Sequence, residues 1–144
     1  MLDTIDNPFK SISILYRKSH IWLNSSCSQF DLTAAQAVII FILCDFGELT
    51  QDEITKKLAL DKSVIAKTVV KLEERGFLLR ATNKRDKRTY DIKPTEKALE
   101  VYPYIKEQLD KCFELMTRKM SDSERNEFKR LLLLAAESTL ALEE

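Results

Sequence analysis

The sequence predicts a mainly α chain that carries one small β-hairpin. Three observations point there. Thr33 with Gln36, Thr50 with Glu53 and Ser121 with Glu124 each form a capping box ahead of a run with helical spacing. Alternation of period two sets in after Gly76, on the two sides of a charged segment, Asn83 to Arg88. The 144 residues contain only two glycines, Gly47 and Gly76, so turns are few and each falls where a helix should stop.

The first helix is expected over about Pro8 to Ser26, with Pro8 at a first-turn position where its missing N–H costs nothing. Phe9, Ile12, Tyr16 and Leu23 share one face, with Leu15 and Trp22 to the side. The second helix follows Thr33. Ala37, Ile40, Phe41 and Cys44 make it apolar nearly all round, which places it in the core. A short third helix starts after Thr50 and carries Ile54 and Leu58. A turn at Leu60–Asp61 then leads to a fourth helix capped by Asp61.

The fourth helix, about Lys62 to Arg75, is the most informative. Ile65, Thr68, Val69 and Leu72 fall on one face. Ser63, Ala66, Lys67, Val70 and Lys71 fall on the other, which is small or basic and holds no acid before Glu73. Hydroxyl, methyl and ammonium groups together can meet phosphates and base edges at once. An ordinary solvated helix more often interleaves Glu with Lys.

Beyond Gly76, Phe77, Leu79 and Ala81 alternate with Leu78 and Arg80, and Tyr90 and Ile92 alternate with Thr89, Asp91 and Lys93. The hairpin tip carries Lys84, Arg85, Lys87 and Arg88 against Asp86 alone. Such a tip suits a phosphate backbone or a minor groove; a solubilising loop is the other reading. From Thr95, Leu99, Tyr102, Ile105, Leu109, Cys112, Phe113, Met116 and Met120 draw a long amphipathic stripe, and Pro103 should kink it or bend its first turns. Ser121 opens a last helix with Leu131 to Leu134, Ala135, Ala136, Leu140 and Leu142. That surface is too apolar for a lone monomer, and a symmetric dimer is its commonest cover.

Composition narrows the function. Two glycines cannot build a G-x-G-x-x-G or phosphate-binding loop, and the single histidine, His20, excludes multi-histidine metal sites. No cofactor or metal is expected, and no catalytic constellation stands out. Cys27, Cys44 and Cys112 form no C-x-x-C and read as free thiols in a reducing compartment. The N-terminus, MLDTIDNPFKS, shows no secretory pattern, and the longest apolar run, Ala37 to Cys44, is far too short for a membrane span. The expectation is a soluble, cytoplasmic protein. Net charge is zero, but Thr50 to Lys93 holds twelve basic and seven acidic residues, +5, which leaves −5 on the remainder. One anion-facing surface would explain this, as would an ordinary solvated face.

Helix, short helix, turn, basic helix and basic hairpin, in this order, resemble a winged helix-turn-helix of the MarR (multiple antibiotic resistance regulator) type. LTQDEITKKLALDKSVIAKTVVKLEERGFLLR is similar to the family's helix-turn-helix with its L-E-x-x-G ending. RDKRTYDIKPTEKALE is similar to its wing, with Asp86-Lys87-Arg88 as D-x-R, Lys93 where Ser or Thr is common and Ala98 where Gly is common. The resemblance implies a winged DNA-binding region over residues 32–94 and dimerisation helices over 1–31 and 95–144 of a single chain. It implies a homodimer on double-stranded DNA, with a pseudo-palindromic operator.

By residue, the resemblance implies that Lys62, Ser63, Ala66, Lys67 and Lys71 face the major groove or its phosphates. Arg88 would enter the minor groove, oriented by Asp86, while Lys84, Arg85 and Lys87 add sequence-independent affinity. Thr50 and Gln51 would hold a phosphate at the start of the third helix. It further implies release from DNA by a small aromatic effector, for which Tyr16, Arg17, His20 and Trp22 are the candidate contacts. Core or interface packing is the plainer reading of those four. Two alternatives stay open: a thiol-based redox regulator, with Cys27 as the sensing residue, and a winged-helix protein-interaction module that does not bind DNA.

Overall fold

A computed structural model describes residues 7–142. The MLDTID segment, on which the expectation of no secretory leader partly rests, lies outside the described residues. The helices are α1 (Pro8–Cys27), α2 (Ala34–Phe46), α3 (Gln51–Leu58), α4 (Lys62–Glu74), α5 (Glu96–Met116) and α6 (Asp122–Leu140). The strands are β1 (Leu49–Thr50), β2 (Leu78–Thr82) and β3 (Tyr90–Pro94), and a 3₁₀ turn, Ser28–Phe30, follows α1. The chain is mainly α with a small antiparallel sheet, as the patterning predicts.

The helix starts are built as their sequences dictate. Thr33, Thr50 and Ser121 all form complete capping boxes. Asn7 caps α1, its side chain accepting from the Phe9 N–H at 2.9 Å. Asp61 caps α4 and accepts from the Ser63 N–H at 2.8 Å. Gly47 and Gly76 follow α2 and α4 with φ of +79°, where a side chain would be strained. α5 runs on through Pro103 without a break.

The sheet order is β1-β3-β2. β1 is two residues long, with Leu49 opposite Ile92 and Thr50 opposite Asp91 of β3, too short to leave a periodic signal. Arg80 lies opposite Ile92 and Thr82 opposite Tyr90. The core face therefore carries Leu78 and Ile92, both buried, while Leu79 is exposed. The grouping of Phe77 with Leu79 is corrected: Phe77 is buried ahead of the strand, in the turn that leaves α4, and the alternation begins at Leu78.

One core holds this half together. Ile39, Ile40 and Leu43 of α2 meet Ile54 of α3, Ile65, Val69 and Leu72 of α4, Phe77, Leu78 and Ile92, and Ala98, Val101 and Ile105 of α5. Cys27 of α1 belongs to it as well, so the core crosses both edges of the 32–94 region. The remaining helices are different. α6 buries no residue, and Leu131, Leu132, Leu133, Leu134 and Leu140 are all exposed. It is held to α5 at its start, where buried Thr117 accepts from Arg125 Nε at 3.0 Å and Phe128 stacks on Phe113. Among the described residues no single helix is long and apolar enough to cross a membrane.

Candidate nucleic-acid interface

The surface begins with α4. Ile65, Val69 and Leu72 fix its inner face in the core, and Thr68 spends its hydroxyl on the Val64 carbonyl at 2.8 Å. Lys62, Ser63, Val64, Lys67 and Lys71 are exposed, whereas Ala66 and Val70 are half-buried. The outward stripe is thus rotated from the sequence reading: it runs through Val64 rather than Ala66. Buried positions recur at 65, 69 and 72, so the opposite side of the wheel centres on 63, 67 and 74, with 64 and 71 on one flank and 66 and 70 on the other, half-buried one.

At the start of α4 several polar groups already have partners. Ser63 donates its hydroxyl to Asp61 Oδ1 at 2.5 Å, and these bonds hold the Asp61 carboxyl below the usual carboxylate range. Lys62 lies 3.9 Å from Asp52. Lys67 and Lys71 form no ion pair among the described residues. Other cations of the basic segment serve the fold. Arg75 donates to the Phe30 carbonyl at 2.9 Å, and Lys97 donates to the Arg75 carbonyl at 2.6 Å. Arg80 pairs with Glu73 at 3.3 Å and lies over the Tyr90 ring, 4.5 Å from its centroid.

The hairpin tip is a structured loop. Asn83 Oδ1 accepts from the N–H groups of Arg85 at 2.9 Å and Asp86 at 2.8 Å, while its amide donates to Asp91 at 2.7 Å. Asp86 then grips Arg88: Oδ1 accepts from Arg88 Nε at 3.0 Å and Oδ2 from Nη2 at 3.2 Å, and the Arg88 N–H also donates to Oδ1. Hydrogen bonds from Arg88 keep the Asp86 carboxyl below its ordinary range. The Arg88 side chain remains 91% exposed, a fork held in place with its far side free. Lys84, Arg85 and Lys87 are exposed around it. Asn83 escaped the sequence reading, although an Asn ahead of a turn signals this side-chain-to-backbone bonding.

The start of α3 departs from expectation. Gln51 is buried, and its Oε1 has no hydrogen-bond partner. The Thr50 hydroxyl accepts from the Glu53 N–H, and the Thr50 N–H donates to the Glu53 carboxylate at 2.8 Å. Asp52 and Glu53 place the chain's own carboxylates at this helix start, where they disfavour a phosphate.

The four candidate effector contacts do not converge. Tyr16 is exposed and packs on His20, ring centroids 4.2 Å apart, while Arg17 donates to Ser13 at 2.7 Å. Trp22 alone reaches the sizeable cavity, about 830 Å³, between α1 and the end of α5. Ile14, Leu15, Ile21, Leu115 and Met116 supply its apolar walls, and Lys18, Arg118 and Lys119 its charges. Tyr16, Arg17 and His20 lie off this cavity, whose walls are mostly aliphatic. The thiols are damped by burial: Cys27 is raised, and Cys44 is pushed up to about 11 by burial and then by Asp45. No cluster of three or more metal-ligating side chains occurs among the described residues.

Residues 32–90 match the MarR family. The HTH-type transcriptional regulator YybA of Bacillus subtilis is 22% identical over 123 residues, 85% of this chain and 82% of that one. A MarR transcriptional regulator from Methanosarcina mazei is 25% identical, with a TM-score of 0.85 over 91% of this chain and 94% of its own. A mutant MarR from E. coli, complexed with operator DNA, shares the fold at 22% identity and a TM-score of 0.78, over 89% of this chain and 92% of its own.

Proposed function

Because the chain belongs to the MarR family of transcriptional regulators, we propose that it works as a homodimer that binds a pseudo-palindromic operator in double-stranded DNA. One observation carries this reading. The acid-free stripe of α4 and the Asp86-held Arg88 are two cationic projections from one rigid core, spaced along the chain as a major-groove element followed by a minor-groove element. Lys62, Ser63, Lys67 and Lys71 meet the major groove and its phosphates. Arg88 enters the minor groove, and Lys84, Arg85 and Lys87 contact phosphate. That E. coli MarR was captured on operator DNA supports the same use of the shared fold here.

α1, the second half of α5 and α6 form the dimer face. An all-exposed leucine surface on α6 is what a second copy would cover. The protein acts as a cytoplasmic repressor, released when a small aromatic anion enters the α1–α5 cavity, whose Lys18, Arg118 and Lys119 match a carboxylate. Neither alternative is favoured: the thiols are raised rather than activated, and an exposed basic stripe is a poor fit to a purely protein-binding wing.

The test is selection of bound duplexes from a random pool, followed by footprinting. The expected result is an inverted repeat with half-site centres about one helical turn apart. Recovery of no preferred sequence, or binding insensitive to salt, defeats the proposal.

A further inference from the structure

We propose that Val64 is a base-reading residue: its isopropyl group packs on the 5-methyl of a thymine in the major groove. This rests on the DNA-binding reading above. Val64 is 46% exposed on one flank of the outward stripe of α4, one turn ahead of Lys67. Its neighbours on that turn have polar partners in the protein, Ser63 at Asp61 and Lys62 3.9 Å from Asp52, an exposed pair that a phosphate can displace. Val64 and Lys67 are therefore the first side chains of the helix that face outward without a hydrogen-bonding or ionic partner among the described residues.

The fold gives no reason for valine here. A β-branched residue lowers helix propensity, and an exposed helix position gains nothing from an apolar side chain. The same branching is an asset for recognition. Valine in a helix holds essentially one χ1 rotamer, so its two methyl groups are preset. Thr68, bonded to the Val64 carbonyl, ties the turn that carries them. Among the four bases thymine alone presents a methyl group in the major groove. Cytosine would place an amino donor near the same spot, and an apolar cover would strip it of water without offering an acceptor. The contact therefore selects T over C.

Lys67 stands three residues on, about 4.5 Å along the helix axis, close to the roughly 3.4 Å base step. Its ammonium reaches the O6 and N7 of a guanine one or two pairs from that thymine.

The experiment uses the full chain and the duplexes it selects from a random pool. Each thymine of the half-site is replaced in turn by uracil, which deletes the methyl group and nothing else. One replacement per half-site should weaken wild-type binding about three- to fivefold, the worth of one buried methyl. Val64→Ala should bind the thymine and uracil forms equally and accept cytosine more readily at that position. Lys67→Ala should weaken both forms while keeping the methyl effect. If wild type tolerates uracil everywhere, or Val64→Ala loses as much as wild type, the assignment is overturned while DNA binding stands. If the protein selects no duplex at all, the functional reading fails and takes this inference with it.

Discussion

The winged half and the helical arm of this chain use apolar residues in opposite ways. In the winged half Ile54, Ile65, Val69, Leu72 and Ile92 are fully buried around a closed core. In the arm the richest apolar run of the chain, Leu131 to Leu134, stays exposed along α6. Both helix sets are well capped, so local sequence explains neither outcome. The difference teaches that a helix can be fully specified by its own residues and still lack the surface it was made to cover. The winged half is complete within one chain, and in the proposed dimer the arm is covered by a second copy.

Four variants test that contrast. The largest expected effect is in the closed half. Phe77 is buried between α4 and the sheet, with Arg75 and Lys97 over its ring, and Phe77→Ala should cost about 3–5 kcal/mol in denaturant unfolding. A loss below about 1 kcal/mol would mean that the core is less closed than its burial says. In the arm, Leu132→Asp paired with Leu134→Asp should give a monomer by sedimentation. The helical signal of the winged half should persist, and operator affinity should fall by roughly two orders of magnitude, the loss of linked half-site binding. A stable dimer in the double variant would remove α6 from the interface.

At the wing, Arg88→Ala should weaken operator binding by about 1–3 kcal/mol without changing stability, read by fluorescence titration. Equal affinity for the variant would dismiss the minor-groove role. The smallest effect lies in the turn between α3 and α4. Ala59 holds φ of +49°, a left-handed conformation that glycine adopts without strain. Ala59→Gly should raise stability by up to about 1 kcal/mol, and a loss instead would show that the methyl group packs usefully there.

Acid separates the wing from the core in a different way. Asp61 and Asp86 both have folded-state pKa values below the ordinary carboxylate value, because hydrogen bonds favour the charged form. A depressed pKa contributes order above the unfolded value and loses it as pH falls through the folded one. The α4 cap and the Asp86–Arg88 pair are therefore insensitive to pH near neutrality and loosen only in acid, below the usual carboxylate range. A carbon-detected NMR titration should find both groups titrating below other exposed aspartates; ordinary midpoints would contradict the hydrogen bonding described.

Helix starts were the most legible feature, because a capping box is a local bond pattern that depends on four consecutive residues. Thr33, Thr50 and Ser121 needed nothing from the rest of the chain. The order of the elements and the basic tip were also written locally, as was the pairing of Asp86 with Arg88 two residues on. Gln51 was not: its burial follows from the two-residue strand that brings the start of α3 against β3. The α1–α5 cavity was not legible for a similar reason, since which face of α1 meets α5 is decided by the partner helix and not by the aromatic content of α1.

The sequence alone set where helices begin and end, where the period changes, and where cations collect, because propensity, capping and turn chemistry act over a few residues. Tertiary contacts settled which side of α4 looks outward, which lysines and arginines are spent on the protein itself, and that α6 finds no cover among the described residues of its own chain. Those outcomes depend on contacts between residues far apart in sequence, and periodicity fixes a helix's faces without saying what each face will meet.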